Sequence, residues 1–166
     1  MKLEGRIEAV VDTPASIPRR AAEWSGSMAE AVSAKLAFRN LVLLAGRLLL
    51  ACIFVHEGVF LTMNFGAASA AMVKSGIPVF ALILTIALQL AAGIAIAVGW
   101  QTRLGAAALG LFCVATAVLL HTNLASRNEL LHFEKDLAIS GGMWVLMLCG
   151  PGSWSVDNRR RAQRTA

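Results

Sequence analysis

PVFALILTIALQLAAGIAIAVGW, Pro78 to Trp100, holds no charged residue, and inside it the polar side chains are Thr85 and Gln89 alone. A helix on the surface of a soluble bundle shows a polar stripe every third or fourth position. This stretch shows none, and it holds the ~20 apolar residues that carry a helix across a bilayer core. The neighbouring windows behave alike. No Asp, Glu, Lys or Arg falls between Lys74 and Arg103, between Arg103 and Arg127, or between Asp136 and Asp157. Over 166 residues the chain is 57% hydrophobic and 15% charged, with a mean hydropathy of +0.67. Soluble domains average roughly 25% charged. These features specify an all-α membrane protein.

Four spans are expected, near 40–64, 78–99, 103–122 and 131–150. Their short connections predict an antiparallel four-helix bundle, with GWQTR, Gly99 to Arg103, as a tight turn. Small residues at spacing four, Ala91, Ala95 and Gly99, then Ala106 and Gly110, then Gly141 and Gly142, predict close helix contacts. Residues 1–39 read as a polar leader, in which Met28, Val32 and Leu36 share one face of an interfacial helix. Its mixed charge does not suit a secretory leader. Residues 151–166 form a basic tail.

The net charge is +5. Its placement points to the membrane surface and away from nucleic acid, because RRRAQR, Arg159 to Arg164, directly follows the last apolar span. Lys35, Arg39, Arg103 and the tail arginines flank one side, against Lys74 and Arg127 on the other. The bias places both termini in the cytoplasm. Cys52, Cys113 and Cys149 lie in apolar spans without a CxxC spacing and read as hydrophobic filler.

With that topology, His56 and Glu57 of CIFVHEGVF fall in the outer third of the first span, as do Asn64, His121, His132, Glu134, Lys135 and Asp136 at the outer ends of theirs. Ionisable groups within spans usually face the bundle interior and pair with one another. Glu57 is expected to pair with Lys135, or else with His121. Asp136, four residues after His132, is placed to orient a histidine. The plainer alternative is a helix start in the headgroup layer, where Glu134 and Asp136 suit a helix dipole. Arg47 sits alone in the inner half, where it snorkels, binds carbonyls or holds a lipid headgroup. A structural role is favoured over a chemical one. No HxxxH or HExxH spacing supports a metal site, and only His56 and His121 offer a pair for haem. No glycine-rich phosphate loop or nucleophile elbow is present.

HFEKDLAISGGMWVLMLCGPGSWSVD, His132 to Asp157, resembles the closing segment of the DoxX family. The carrying residues are Phe133, Lys135, Asp136, Gly141, Gly142, Gly150, Pro151, Gly152, Ser155 and Asp157, preceded by Arg47, His56 and Gly58 in the first span. Glu57, and Leu61, Thr62 and Met63 where a polar group is usual, depart from the family pattern. The resemblance spans residues 40–157 and implies a four-helix protein of the bacterial inner membrane. Some relatives resemble small subunits of quinone-linked oxidoreductases, including thiosulfate-oxidising ones. Others are linked to oxidative-stress complexes. On that reading the chain is a membrane subunit without a cofactor of its own. It would hold a quinone headgroup, or relay its protons, through His56, Glu57, His121 and Lys135, with Asp136 and Arg47 as further candidates. Alternatives are a non-catalytic scaffold for a partner protein and a small transporter working as a homo-oligomer.

Overall fold

A computed structural model describes residues 19–121 and 124–165. The start of the expected leader, with Pro14 and Pro18, lies outside the described residues. Among those described, the chain is wholly helical: α1 Arg19–Met63, α2 Phe65–Lys74, α3 Val79–Val98, α4 Thr102–Leu120, α5 Arg127–Cys149 and α6 Val156–Thr165. Among the described residues, three helical stretches are long and apolar enough to cross a membrane: Glu30–Met63, Val79–Val98 and Thr102–Leu120. The 23-residue α5 is long enough, but its first half carries Arg127, Glu129, Glu134, Lys135 and Asp136.

The chain divides into two units, Met1–Ala37 and Phe38–Ala166. In the first, the expected apolar face of Met28, Val32 and Leu36 is exposed. The second holds the core. It gathers Ala51 and Phe54 of α1, Ala92 and Ile96 of α3, Ala106, Leu109 and Cys113 of α4, and Met143 and Leu146 of α5. Two elements differ from the sequence reading. The alanine-rich FGAASAAMVK forms its own helix, α2, after a break at Asn64. The basic tail is helical as α6.

Glycines let the helices approach. A Cβ on Gly58 would lie 2.8 Å from Leu90 of α3, and one on Gly110 would lie 3.1 Å from the Trp144 indole of α5. Along α3 the packed small residues are Ala92 and Gly93, whereas Ala91 is exposed. The spacing of four was right for Ala106 and Gly110, but on α3 it selected a face rotated by about one residue, or ~100°. Gly142 contacts Leu50, while Gly141 faces open space.

One end of the bundle is tied by a buried arginine. Arg47 is 2% exposed. Its Nη1 donates to the Pro151 carbonyl at 2.9 Å and its Nη2 to that of Trp154 at 3.0 Å. Gly150, Pro151 and Gly152 turn the chain back after α5, with both glycines at positive φ. Ser155 Oγ closes that turn by donating to Gly152 O at 2.8 Å and accepting from Asn158 N at 3.2 Å. Asp157 then reaches the tight turn after α3. Its Oδ1 accepts from Gln101 N at 2.9 Å, its Oδ2 from Thr102 N at 3.1 Å, and its own N–H donates to Gly99 O at 2.9 Å. Gln101 has a φ of 45° and no side-chain cap for α4. Asp157 therefore supplies, from 55 residues away, the acid that a helix N-terminus favours.

Gly99 is essential to this knot. Its φ is 77°, and a Cβ there would lie 2.6 Å from both Arg47 Nη1 and Ser155 Cβ. Arg47→Gln removes two charge-assisted bonds and strands two carbonyls, so a loss of about 3 kcal/mol is expected. Gly99→Ala is expected to destabilise comparably through strain and overlap. Gly46→Ala, where nothing lies within 4 Å, is expected to be neutral or to gain up to ~1 kcal/mol. Unfolding of the purified protein in detergent, followed by circular dichroism, measures all three.

Candidate functional site

At the opposite end, α4 runs out and α5 begins. The contacts between the two helices pass from Arg103 with Leu148, through Gly110 with Trp144 and Thr116 with Asp136, to His121 with Glu129. Residue numbers thus fall along α5 as they rise along α4. This register sets the last turn of α4 against the first three turns of α5. On α5, Glu129, His132 and Asp136 follow at i, i+3 and i+7, so they share one face.

His121 stands at the centre of the resulting cluster. Its Nδ1 lies 2.9 Å from Glu129 Oε2, and its Nε2 lies 3.8 Å from Asp136 Oδ2. The His121 and Asp136 side chains are 21% and 15% exposed. The His132 ring stacks on His121 with centroids 5.3 Å apart and planes 16° from parallel. Lys135 Nζ donates to His132 Nδ1 at 3.3 Å. Thr116 Oγ1 lies 2.9 Å from Asp136 Oδ2 and 3.0 Å from Cys113 O, so its single proton serves either acceptor. A proton on His121 Nδ1 is within hydrogen-bond distance of Glu129 Oε2, and Asp136 Oδ2 stands at ion-pair distance from Nε2. A proton on Asp136 points at Thr116, whose own proton then turns to Cys113 O. The group can therefore hold a proton in several places without moving a backbone atom.

Of the residues singled out in the sequence, His121 and Asp136 meet here, and Lys135 joins them through His132. Asp136 faces His121 instead of its own helical neighbour His132. His56 and Glu57 do not join the cluster. Their side chains are 75% and 53% exposed, and they pair with each other, 3.9 Å from His56 Nδ1 to Glu57 Oε2. Among the described residues Glu57 forms no ion pair with Lys135 or His121, so the expected inward pairing is not met. The cause is the rotation of α1. Arg47, Ala51, Phe54 and Gly58 are its buried residues among those described. At about 100° per residue, His56 lies roughly half a turn from that stripe, with Glu57 to one flank. Arg47 belongs to the knot at the other end. The sequence reading missed Glu129 and Thr116. The i, i+3, i+7 spacing from Glu129 to Asp136 was the available signal.

Among the described residues, no group of three or more His, Cys, Asp or Glu is gathered to hold a metal ion.

Comparison with known proteins places the chain among integral membrane proteins. The DoxX family profile matches residues 42–122, from α1 to the end of α4. Inner membrane protein YqjF of Escherichia coli K12 is 36% identical over 114 residues, which cover 69% of this chain and 88% of that protein. Inner membrane protein YphA of the same organism is 30% identical over 130 residues, covering 74% of this chain and 93% of that protein. No solved structure matches the chain. Spanning most of the length of both relatives, and built around membrane-crossing helices, the chain belongs to the DoxX family of integral membrane proteins.

Proposed function

We propose that the protein is a small subunit of a quinone-linked redox complex in the bacterial inner membrane, and that the His121 cluster takes up protons released on quinol oxidation. The observation that carries this reading is His121 with a carboxylate facing each ring nitrogen, 2.9 and 3.8 Å away. Oxidation of a quinol releases two electrons and two protons. The electrons pass to a cofactor-bearing partner, because the chain displays no cofactor motif of its own. The protons pass to positioned bases, here His121 with Glu129 and Asp136. Lys135 and His132 offer hydrogen-bond donors to a quinone carbonyl at the same end of the helices.

The test uses the purified full chain and a short-chain quinol analogue. At a hundred times its Kd, a bound ligand stabilises by about 2.7 kcal/mol, which raises the unfolding midpoint by several degrees. His121→Gln and Asp136→Asn are expected to abolish that rise, and Glu57→Gln to keep it. An unchanged midpoint at saturating analogue, or a full rise in the His121 variant, overturns the reading.

The topology belongs to the same proposal: four antiparallel spans with both termini cytoplasmic. The support for α5 as the fourth span is its length and its buried Ser140, Met143 and Leu146. Much of the charge at its start is also paired, Glu129 and Asp136 with His121 and Lys135 with His132. Reporter fusions at residues 1 and 166 are expected to read cytoplasmic, and one inserted at Ser126 periplasmic.

A second reading, a non-catalytic anchor for another membrane chain, is favoured by one observation: His56 and Glu57 point away from the bundle within a span. Exposed imidazole and carboxylate are costly in hydrocarbon, and a partner helix over that face relieves the cost. Leu49 is 74% exposed two turns before His56. A photoreactive phenylalanine analogue there is expected to crosslink to one partner of discrete mass in native membranes. Replacing His56 and Glu57 with leucine should abolish the adduct, and the same analogue at exposed Phe80 of α3 should give none.

A further inference from the structure

At the end tied by Arg47, a cavity of about 640 Å³ opens between the α3–α4 turn, the loop from Gly150 to Ser153 and α6. Arginines from three helices line it: Arg39 of α1, Arg103 of α4, and Arg160, Arg161 and Arg164 of α6. The lining holds one carboxylate, Asp157, and both its oxygens already accept backbone N–H groups of Gln101 and Thr102. Among the described residues Arg39, Arg103, Arg160 and Arg164 have no carboxylate within ion-pair distance. Arg103 Nη2 makes a long bond of 3.4 Å to Leu148 O, and Arg160 sits 5.9 Å over the Trp100 ring.

We propose that this cavity is a binding site for a phosphate-bearing anion, and that the occupant is the headgroup of an anionic phospholipid. Guanidinium groups collected on one cavity repel one another until an anion enters, and their planar forks match phosphate oxygens. Arginine dispersed along a membrane surface attracts anionic lipid only diffusely. Convergence from α1, α4 and α6 is different, because it gathers the donors around one volume, with room beyond a single phosphate. The lipid source is favoured by what borders the cavity. Leu104 is 66% exposed in the first turn of the membrane-crossing α4 and is itself part of the lining. A headgroup held by the arginines thus has an apolar surface beside it for its acyl chain.

The test is the unfolding midpoint of the full chain in a neutral detergent, titrated with dioctanoyl phosphatidylglycerol, dioctanoyl phosphatidylcholine or inorganic phosphate. Phosphatidylglycerol is expected to raise the midpoint saturably, and phosphatidylcholine and phosphate to leave it nearly unchanged. An equal rise with inorganic phosphate overturns the lipid source. Each arginine removed should weaken binding about fivefold, from ~1 kcal/mol per basic residue near an anionic lipid. Arg160→Gln with Arg164→Gln is therefore expected to weaken it at least tenfold. Arg159→Gln neutralises a neighbour on α6 that does not line the cavity, and should change nothing. Equal weakening by Arg159→Gln, or no response to phosphatidylglycerol, overturns the site. The ligand-free midpoint of each variant confirms that it folds.

Discussion

A charged guanidinium within an apolar bundle is unstable unless its N–H groups find acceptors, and Arg47 imposes that demand on everything near it. α1 cannot satisfy it, because its own carbonyls are spent within the helix. The acceptors come from Pro151 and Trp154, two residues freed from helical geometry by the turn after α5. That turn has to fold back over α1, so Gly150 and Gly152 take positive φ and Ser155 pins the return. The return brings Asp157 to the α3–α4 turn, where it caps α4. One buried charge thus accounts for the Gly-Pro-Gly, the Ser and the Asp of the closing segment.

The same residue fixes which side of α1 is inside. With Arg47 turned to the bundle, Ala51, Phe54 and Gly58 follow at 4, 3 and 4 residues, and they meet α3 through Gly93 and Leu90. His56 has no choice but the outer face. The knot also decides where α6 starts, which sets Arg160 and Arg164 across from Arg39 and Arg103. The two polar ends differ in their balance. At the far end, histidine and lysine stand against glutamate and aspartate. At the Arg47 end, cations face one carboxylate that is already occupied. The first arrangement suits a mobile proton and the second a fixed anion.

Much of this was legible in the sequence because charge is so costly in lipid. Two of the charge-free windows, Lys74 to Arg103 and Arg103 to Arg127, gave the positions of α3 and α4, and the tight turn at Gly99 followed from its neighbours. Rotation about each helix axis was less legible. In a membrane, lipid-facing and core-facing residues are equally apolar, so Ala91 and Ala92 look alike until packing chooses between them. The position of Glu57 failed for a related reason. The rule that ionisable groups face inward cannot be met by Arg47 and His56 at once, because nine residues set them about half a turn apart on α1. The cap by Asp157 was hidden by distance in sequence, since nothing local marks an aspartate as the partner of a helix 55 residues earlier.

Most of the departures from the family pattern lie at exposed positions of α1. Glu57, Thr62 and Met63 are exposed on α1, while the family residues Arg47, Gly58, Ser155 and Asp157 are consumed by internal contacts. A buried residue such as Arg47 answers to geometry that any bundle of this design shares, so its identity is constrained by folding. An exposed one answers to whatever lies beside the protein in the membrane. The chemistry that distinguishes this chain is therefore to be sought on the outer face of α1 and in the end clusters, where the bundle has satisfied its own needs and still presents polar groups.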